Sequence, residues 1–278
     1  MEFSVLMSLY DKEKPDYLQQ ALESLVTQTL LPNEIVIVKD GPLPSTLEVV
    51  LKNYMENYPQ LFLFLQLEKN MGLGLALQHG VNHCRYPIIA RMDSDDVCHP
   101  QRFEKQITYM IEHPHIDTVG SWICEFQDSW KQGQYIRKVP LTAEEIKTYS
   151  KKRNPLNHMT VMFRKKSVLK VGNYLPFPWN EDYYLWVRLL HHGYTIENIS
   201  EPLVFARANQ DLYRRRGGLA YMFEEYRLQR KLYSMQFINW KELIRNILIR
   251  VPVRIVPNFL RVLIYKTFLR EKLQERNE

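Results

Sequence analysis

Three carboxylates in four residues, Asp93-Ser94-Asp95-Asp96, follow directly on the apolar run Pro87–Met92 (PIIARM). Carboxylates set this close repel one another unless a cation or hydrogen-bond donors compensate. A hard divalent ion with oxygen ligands is the natural compensation. A solvated acidic turn, or an N-cap for a helix over Pro100–His113, accounts for the same residues without an ion. The EF-hand pattern is excluded, although Asp93, Asp95 and Glu104 fall at its positions 1, 3 and 12. Position 6 of that loop must be Gly and is Cys98, and position 5 is Val97. The second constellation is Glu181-Asp182 after Pro178-Trp179-Asn180. A carboxylate in an aromatic setting can be raised toward the range of a general base. An acidic pair capping a helix is the plainer reading.

Other patterns carry less. Gly72-Leu73-Gly74 opens a helix but lacks the third Gly of a dinucleotide fingerprint, and no GxxxxGK[ST] occurs. His79 and His83 have zinc spacing without a Glu beside the first His, so ordinary histidines are expected. Arg214-Arg215-Arg216-Gly217-Gly218 reads equally as a phosphate site or a solvated loop.

The elements that must position these residues alternate. Phe3–Tyr10, Glu34–Lys39, Leu61–Leu67 and Pro87–Met92 read as strands, with helices over Asp16–Gln28, Thr46–Tyr58 and Leu73–Cys84 between them. That alternation predicts an α/β fold with a mostly parallel sheet between helices. Ligands in such sheets sit beyond the carboxyl ends of strands, which is where Tyr10-Asp11, Asp40 and Asp93–Asp96 fall. Further on, Trp122–Gln127, Thr160–Arg164 and Leu203–Ala206 read as strands and Glu181–His192 as a helix. Residues 218–278 read as helical with interruptions at Pro252 and Pro257.

The chain has 278 residues, 45% hydrophobic and 24% charged, which excludes a disordered or fibrous protein. Its net charge of +6 hides a split. Residues 1–120 carry 9 basic and 16 acidic side chains, residues 121–210 carry 13 and 8, and residues 211–278 carry 15 and 7. Cys84, Cys98 and Cys124 are an odd, unpatterned set best read as small core hydrophobes. No signal peptide and no membrane-spanning run is expected, so the predicted compartment is the cytoplasm.

Five segments together resemble the bacterial family 2 glycosyltransferases of the GT-A (nucleotide-diphospho-sugar transferase) fold over roughly residues 1–210. They begin FSVLMSLYDKEKPDY at residue 3, EKNMGLGLALQHG at 68, IIARMDSDD at 88, NPLNHMTVMFRK at 154 and NEDYYLWVRLLHHG at 180. More narrowly, the chain is similar to enzymes that build O-antigen, capsule and exopolysaccharide repeat units on a lipid carrier. The resemblance implies a nucleotide- and metal-binding half over 1–120 and an acceptor half over 121–210. It implies that Ser8 and Tyr10 flank the nucleotide, that Asp40 accepts from the uracil ring, that the Asp93–Asp96 stretch touches the ribose, and that Asp93 belongs to the nucleotide-sugar site. Asp95, with Asp96 close behind, is expected to hold Mn²⁺ or Mg²⁺ on the donor diphosphate. Asp182 matches the general base, with Glu181 beside it and His158 near the reacting sugar. The implied reaction is inverting transfer of a hexose, Gal or Glc in β-linkage, from a UDP-sugar to an acceptor such as GlcNAc-diphospho-undecaprenol. Two departures bear on this: Leu73–Gly80 has no basic residue other than His79, and Gln210–Arg214 does not complete a QxxRW motif. A single-addition enzyme is therefore expected.

Residues 211–278 are expected to be a basic helical extension, since 243–270 hold Arg245, Arg250, Arg254, Arg261, Lys266 and Arg270 and no acid. Basic residues interleaved with short apolar runs suit a segment lying on an anionic membrane surface, here the cytoplasmic face of the bacterial inner membrane. The plainer reading is a hairpin packing its apolar side on the catalytic domain with arginines in water. Nucleic acid is not an expected partner, because the acidic first half would repel it. Two alternatives compete with the enzyme: a sugar nucleotidyltransferase, disfavoured because Asp11–Pro15 has no glycine, and an inert membrane-associated scaffold, disfavoured by the intact Asp93, Asp95 and Asp182.

Overall fold

The computed structural model describes residues 1–208, 218–255 and 271–272. Strands β1 (Phe3–Leu9), β2 (Glu34–Lys39), β3 (Phe62–Gln66) and β4 (Ile88–Met92) pair in parallel in the order β3-β2-β1-β4. Helices α1 (Pro15–Val26), α2 (Ser45–Asn57) and α3 (Leu73–His83) make the crossovers. Successive side chains of a strand point to opposite faces, so a strand covered on both sides must be apolar throughout. Phe3, Val5, Met7 and Leu9 accordingly join Leu18 and Leu22 of α1 and Leu47 of α2. Leu6, Val36 and Val38 join Ala76, Leu77 and Val81 of α3 on the opposite face. Each such fully buried Val, Leu, Phe or Met side chain contributes about 1.5–3 kcal/mol.

The second half of the sheet is mixed. β5 (Val97–Cys98) is followed by α4 (Arg102–Glu112), β6 (Ile116–Phe126), β7 (Tyr135–Arg137) and α5 (Ala143–Ser150). Then come β8 (Met162–Arg164), α6 (Lys165–Lys170), α7 (Glu181–His191) and β9 (Thr195–Arg207). β8 runs antiparallel to β4, β6 antiparallel to β8, and β9 parallel to β6. The sequence signalled only the ends of β6 and β9. Their polar residues Thr118, Ser121 and Asn198 break the apolar pattern, yet all three are buried. Two of them place their donors in hydrogen bonds: Ser121 Oγ donates to Trp122 O at 2.9 Å, and Asn198 Nδ2 donates to Pro140 O at 2.6 Å.

Helices α8 (Leu219–Ser234) and α9 (Trp240–Ile255) form a hairpin against α7, where Leu228, Leu232, Phe237 and Ile238 pack on Tyr183, Tyr184 and Val187. Two expectations are corrected here. Pro252 does not interrupt α9, because it lies on an exposed face of the last turn, where the carbonyl it leaves unbonded can meet water. The extension is not wholly helical either, since β10 (Glu271–Lys272) adds antiparallel to β7. The Gln210–Gly217 stretch, Pro257 and residues 256–270 of the basic segment lie outside the described residues. No described helix is long and apolar enough to cross a membrane.

Candidate active site

β1, β2 and β4 end together. Asp40 N–H donates to Leu9 O at 2.7 Å, and Met92 lies level with Met7. Ser8 and Tyr10, Asp40 and Asp93 therefore share one sheet edge. Both Asp40 oxygens accept from backbone N–H groups, of Met71 at 2.6 Å and Gly72 at 3.0 Å, and so brace the loop that starts α3. The chain turns through Gly41 with φ +95°, where a Cβ would come within 2.8 Å of Asn70 N. Only glycine fits that approach.

The acidic loop is held from outside its own strand. Asp96 is buried, and its Oδ1 accepts from Arg207 N–H, at the end of β9, at 2.8 Å. The Arg207 guanidinium donates to Asp95 O at 3.1 Å and stacks on Tyr17 and Phe126. Ser94 donates to Glu13, and Arg91 pairs with Asp93. Carboxylate oxygens of Asp93, Asp95 and Asp96 lie within 4.8 Å of one another. Burial, then Asp93 and Glu13, push Asp95 up to about 7. Burial and the neighbouring aspartates also push Asp96 well up, and its buried Oδ2 has no hydrogen-bond partner. Crowded, desolvated oxygen donors with an orphaned buried atom fit a hard divalent cation. No other such group occurs among the described residues; His79 and His83 are simply tilted rings with centroids 4.3 Å apart.

A cavity of about 500 Å³ opens beside this loop and brings Asp93 together with His158, Glu181 and Asp182. Asp182 lies in the first turn of α7; its Oδ2 accepts from Asn154 Nδ2 at 2.6 Å and its Oδ1 from Tyr183 N–H at 2.7 Å. Burial raises it, while those two bonds and Arg91 pull the other way. Glu181 is pushed to about 7 by burial and then by Asp182. It packs against Gly74, where a Cβ would lie 3.1 Å from its own Cβ. His158 Nε2 meets Tyr174 Oη at 2.9 Å, and burial followed by Arg91 holds it well below the usual imidazole range, hence neutral.

Residues 4–171 match the model of glycosyl transferase family 2. The chain belongs to that family. It is 40% identical over 255 residues to the amylovoran biosynthesis glycosyltransferase AmsE of Erwinia amylovora, covering 92% of this chain and 94% of the relative. It is 37% identical over 272 residues to an Escherichia coli UDP-Gal:alpha-D-GlcNAc-diphosphoundecaprenol beta-1,3-galactosyltransferase, covering 98% of each. Among solved structures, S. aureus TarS 1-349 in complex with UDP-GlcNAc has a TM-score of 0.65 at 18% identity, over 91% of this chain and 72% of TarS. The Pyrobaculum calidifontis mannosyltransferase PcManGT, in complex with GDP-Man and Mn²⁺, has a TM-score of 0.65 at 11% identity, over 95% and 74%. This family 2 glycosyltransferase thus has the GT-A fold and belongs with enzymes of bacterial surface polysaccharide assembly.

Several site residues escaped the sequence reading. Arg91 is fully buried beneath the cavity, and a cation inside the apolar strand PIIARM was its signal. Glu13, Asn154 and Arg207 gave none, because each reaches the site through a contact more than 25 residues away.

Proposed function

We propose that this glycosyltransferase carries a hexose from a UDP-sugar to a lipid-linked saccharide, with inversion and with a divalent cation. UDP-Gal or UDP-Glc is the donor and GlcNAc-diphospho-undecaprenol the acceptor, in O-antigen, capsule or exopolysaccharide synthesis. One observation carries the reading: the Asp182 carboxylate, oriented by Asn154, shares a cavity with Asp93 of the acidic loop. Asp95 and Asp96 would hold Mn²⁺ or Mg²⁺, which when bound offsets the negative charge that grows on the departing diphosphate. Asp182 takes the proton of the acceptor hydroxyl as that oxygen bonds to the anomeric carbon. The bond from that carbon to the phosphate oxygen breaks, and UDP leaves with the electron pair. One base opposite one leaving group inverts the centre. Ser8, Tyr10 and Asp40 frame the nucleotide. Both Asp40 oxygens keep a lone pair beyond their backbone bonds, so acceptance from uracil stays open. Neutral His158 faces the reacting sugar.

A membrane seat supports the lipid-linked acceptor. On the hairpin, Phe223, Trp240, Ile244, Leu248 and Ile249 are all exposed, with Leu248 at 69%, and Lys241 and Arg245 adjoin them. An exposed apolar face beside cations suits the anionic cytoplasmic face of the inner membrane. The test is a panel of UDP-sugars against a synthetic GlcNAc-diphosphate-lipid with Mn²⁺. Transfer by wild type and its loss in Asp182→Asn, with UDP binding intact, is expected; transfer that needs no divalent cation would remove the metal from the scheme.

A further inference from the structure

The cavity that holds Asp182 has a second wall of opposite sign. It is lined by Arg137, Lys138, Arg153, Arg250 and Arg254, and the reaction above uses none of these cations. Glu225, fully buried on α8, draws two of them side by side. Arg250 Nε and Nη2 donate to its Oε1 and Oε2 at 2.6 and 3.0 Å, and Arg254 Nη2 to its Oε2 at 2.8 Å. Arg250 also donates from Nη1 to Lys152 O at 2.8 Å. The same short stretch of backbone leads to the reacting end of the cavity. Tyr183 Oη donates to Ser150 O at 2.6 Å and Asn154 donates to Asp182 at 2.6 Å, with exposed Arg153 between these anchors. The basic wall therefore begins one residue from the side chain that orients Asp182.

The wall also leads outward. Ile249 lines this cavity and also a separate apolar groove of about 400 Å³ formed with Trp240, Ile244 and Leu248 on the outer side of α9. Guanidinium forks match phosphate oxygens in pairs, and partly buried ones bind them in a low-dielectric setting. A ligand spanning the cavity from Asp182 to the groove would meet in turn a carboxylate base, a cationic wall and an apolar exit.

We infer that the basic wall seats the diphosphate of the acceptor, with Arg153 and Arg250 as donors, and that its lipid chain leaves over Ile249 into the outer groove. This rests on the reading of the acceptor as a lipid-linked diphosphosugar. It assigns the acceptor diphosphate to arginines, whereas the donor diphosphate belongs at the acidic loop, at the opposite end of the site.

The first test uses inorganic diphosphate as the probe, titrated calorimetrically into the metal-free full-length protein. Wild type binds it; Arg153→Gln and Arg250→Lys each weaken binding about tenfold or more, as expected for charge-assisted hydrogen bonds. The lysine keeps the charge facing Glu225, so that variant retains the fold, checked by its thermal transition. Saturating UDP leaves diphosphate binding unchanged. Steady-state kinetics then compare a GlcNAc-diphosphate-lipid with an alkyl GlcNAc glycoside that has no phosphate. Both variants raise KM about tenfold for the former and leave KM for the glycoside and for the UDP-sugar as in wild type. Absent binding, binding that both variants retain, or displacement by UDP overturns the seat. Equal losses with both acceptors would reduce Arg153 and Arg250 to structural residues. A wild type that binds diphosphate as described yet glycosylates neither compound would refute the acceptor reading while leaving an anion site.

Discussion

The acidic sheet edge and the C-terminal hairpin handle charge in opposite ways. At the edge, Asp93, Asp95, Asp96, Glu181 and Asp182 crowd together, and burial drives most of them up from the usual carboxylate range. In the hairpin, burial alone would raise Glu225 too, but Arg250 and Arg254 hold it down at about 2. One region keeps like charges close at a cost to stability, and the other satisfies its buried charge internally. The hairpin also inverts the usual sidedness: Arg250 and Arg254 of α9 face the domain while Ile244 and Leu248 face out. A site that must receive a cation keeps like charges together, whereas the hairpin balances its buried carboxylate with two arginines.

The largest effect that would break this comparison is catalytic. Asp182→Asn is expected to lower kcat by about 10²–10⁴-fold, the usual contribution of a general base, with UDP affinity unchanged by titration. Next is Glu225→Gln. Leaving two buried guanidiniums without their carboxylate should cost about 3–5 kcal/mol, read as a fall in the denaturation midpoint and as proteolysis within 218–255. Catalysis should fail there only as the hairpin loosens.

A smaller effect sharpens the contrast through pH. Glu181 has a folded-state value near 7, above its unfolded one, so ionising it costs stability as pH rises from about 4.5 through 7. Glu181→Gln should therefore stabilise the metal-free protein at pH 8, on the order of 2 kcal/mol, and change little at pH 4. Glu225 has the opposite sign. Its pairing contributes fully above about pH 4.5 and is lost as pH falls toward 2, so acid should loosen the hairpin only well after Asp95 and Glu181 of the sheet edge have protonated near 7. The smallest expected effect is at the surface: Ile244→Ala with Leu248→Ala should weaken co-sedimentation with anionic vesicles about tenfold, without moving kcat on a short-chain acceptor.

Much of the sheet edge was legible because its signals are local. The parallel strands β1 to β4 read as apolar runs since both of their faces are buried, and the carboxylates follow those runs directly. The short β5 and β7 were harder, being only two and three residues long, whereas β8 lies within the run Thr160–Arg164 that reads as a strand. The hairpin was least legible. Composition marked α9 as basic and interrupted but not which way it faces, because Arg250 and Arg254 turn inward to meet Glu225, 25 and 29 residues away.

The sequence by itself determined the family, the order of strands and helices, and the carboxylate pairs placed at strand and helix ends. Residue type and short spacing suffice for these, since strand periodicity and charge crowding act over a few residues. Tertiary structure decided which charges are compensated. Arg91 lies beneath the cavity, Asn154 orients Asp182, Arg207 holds the acidic loop from β9, and Glu225 gathers arginines opposite Asp182. Each depends on a long-range contact in a desolvated setting, where electrostatic strength is set by burial, and burial exists only once the chain has packed.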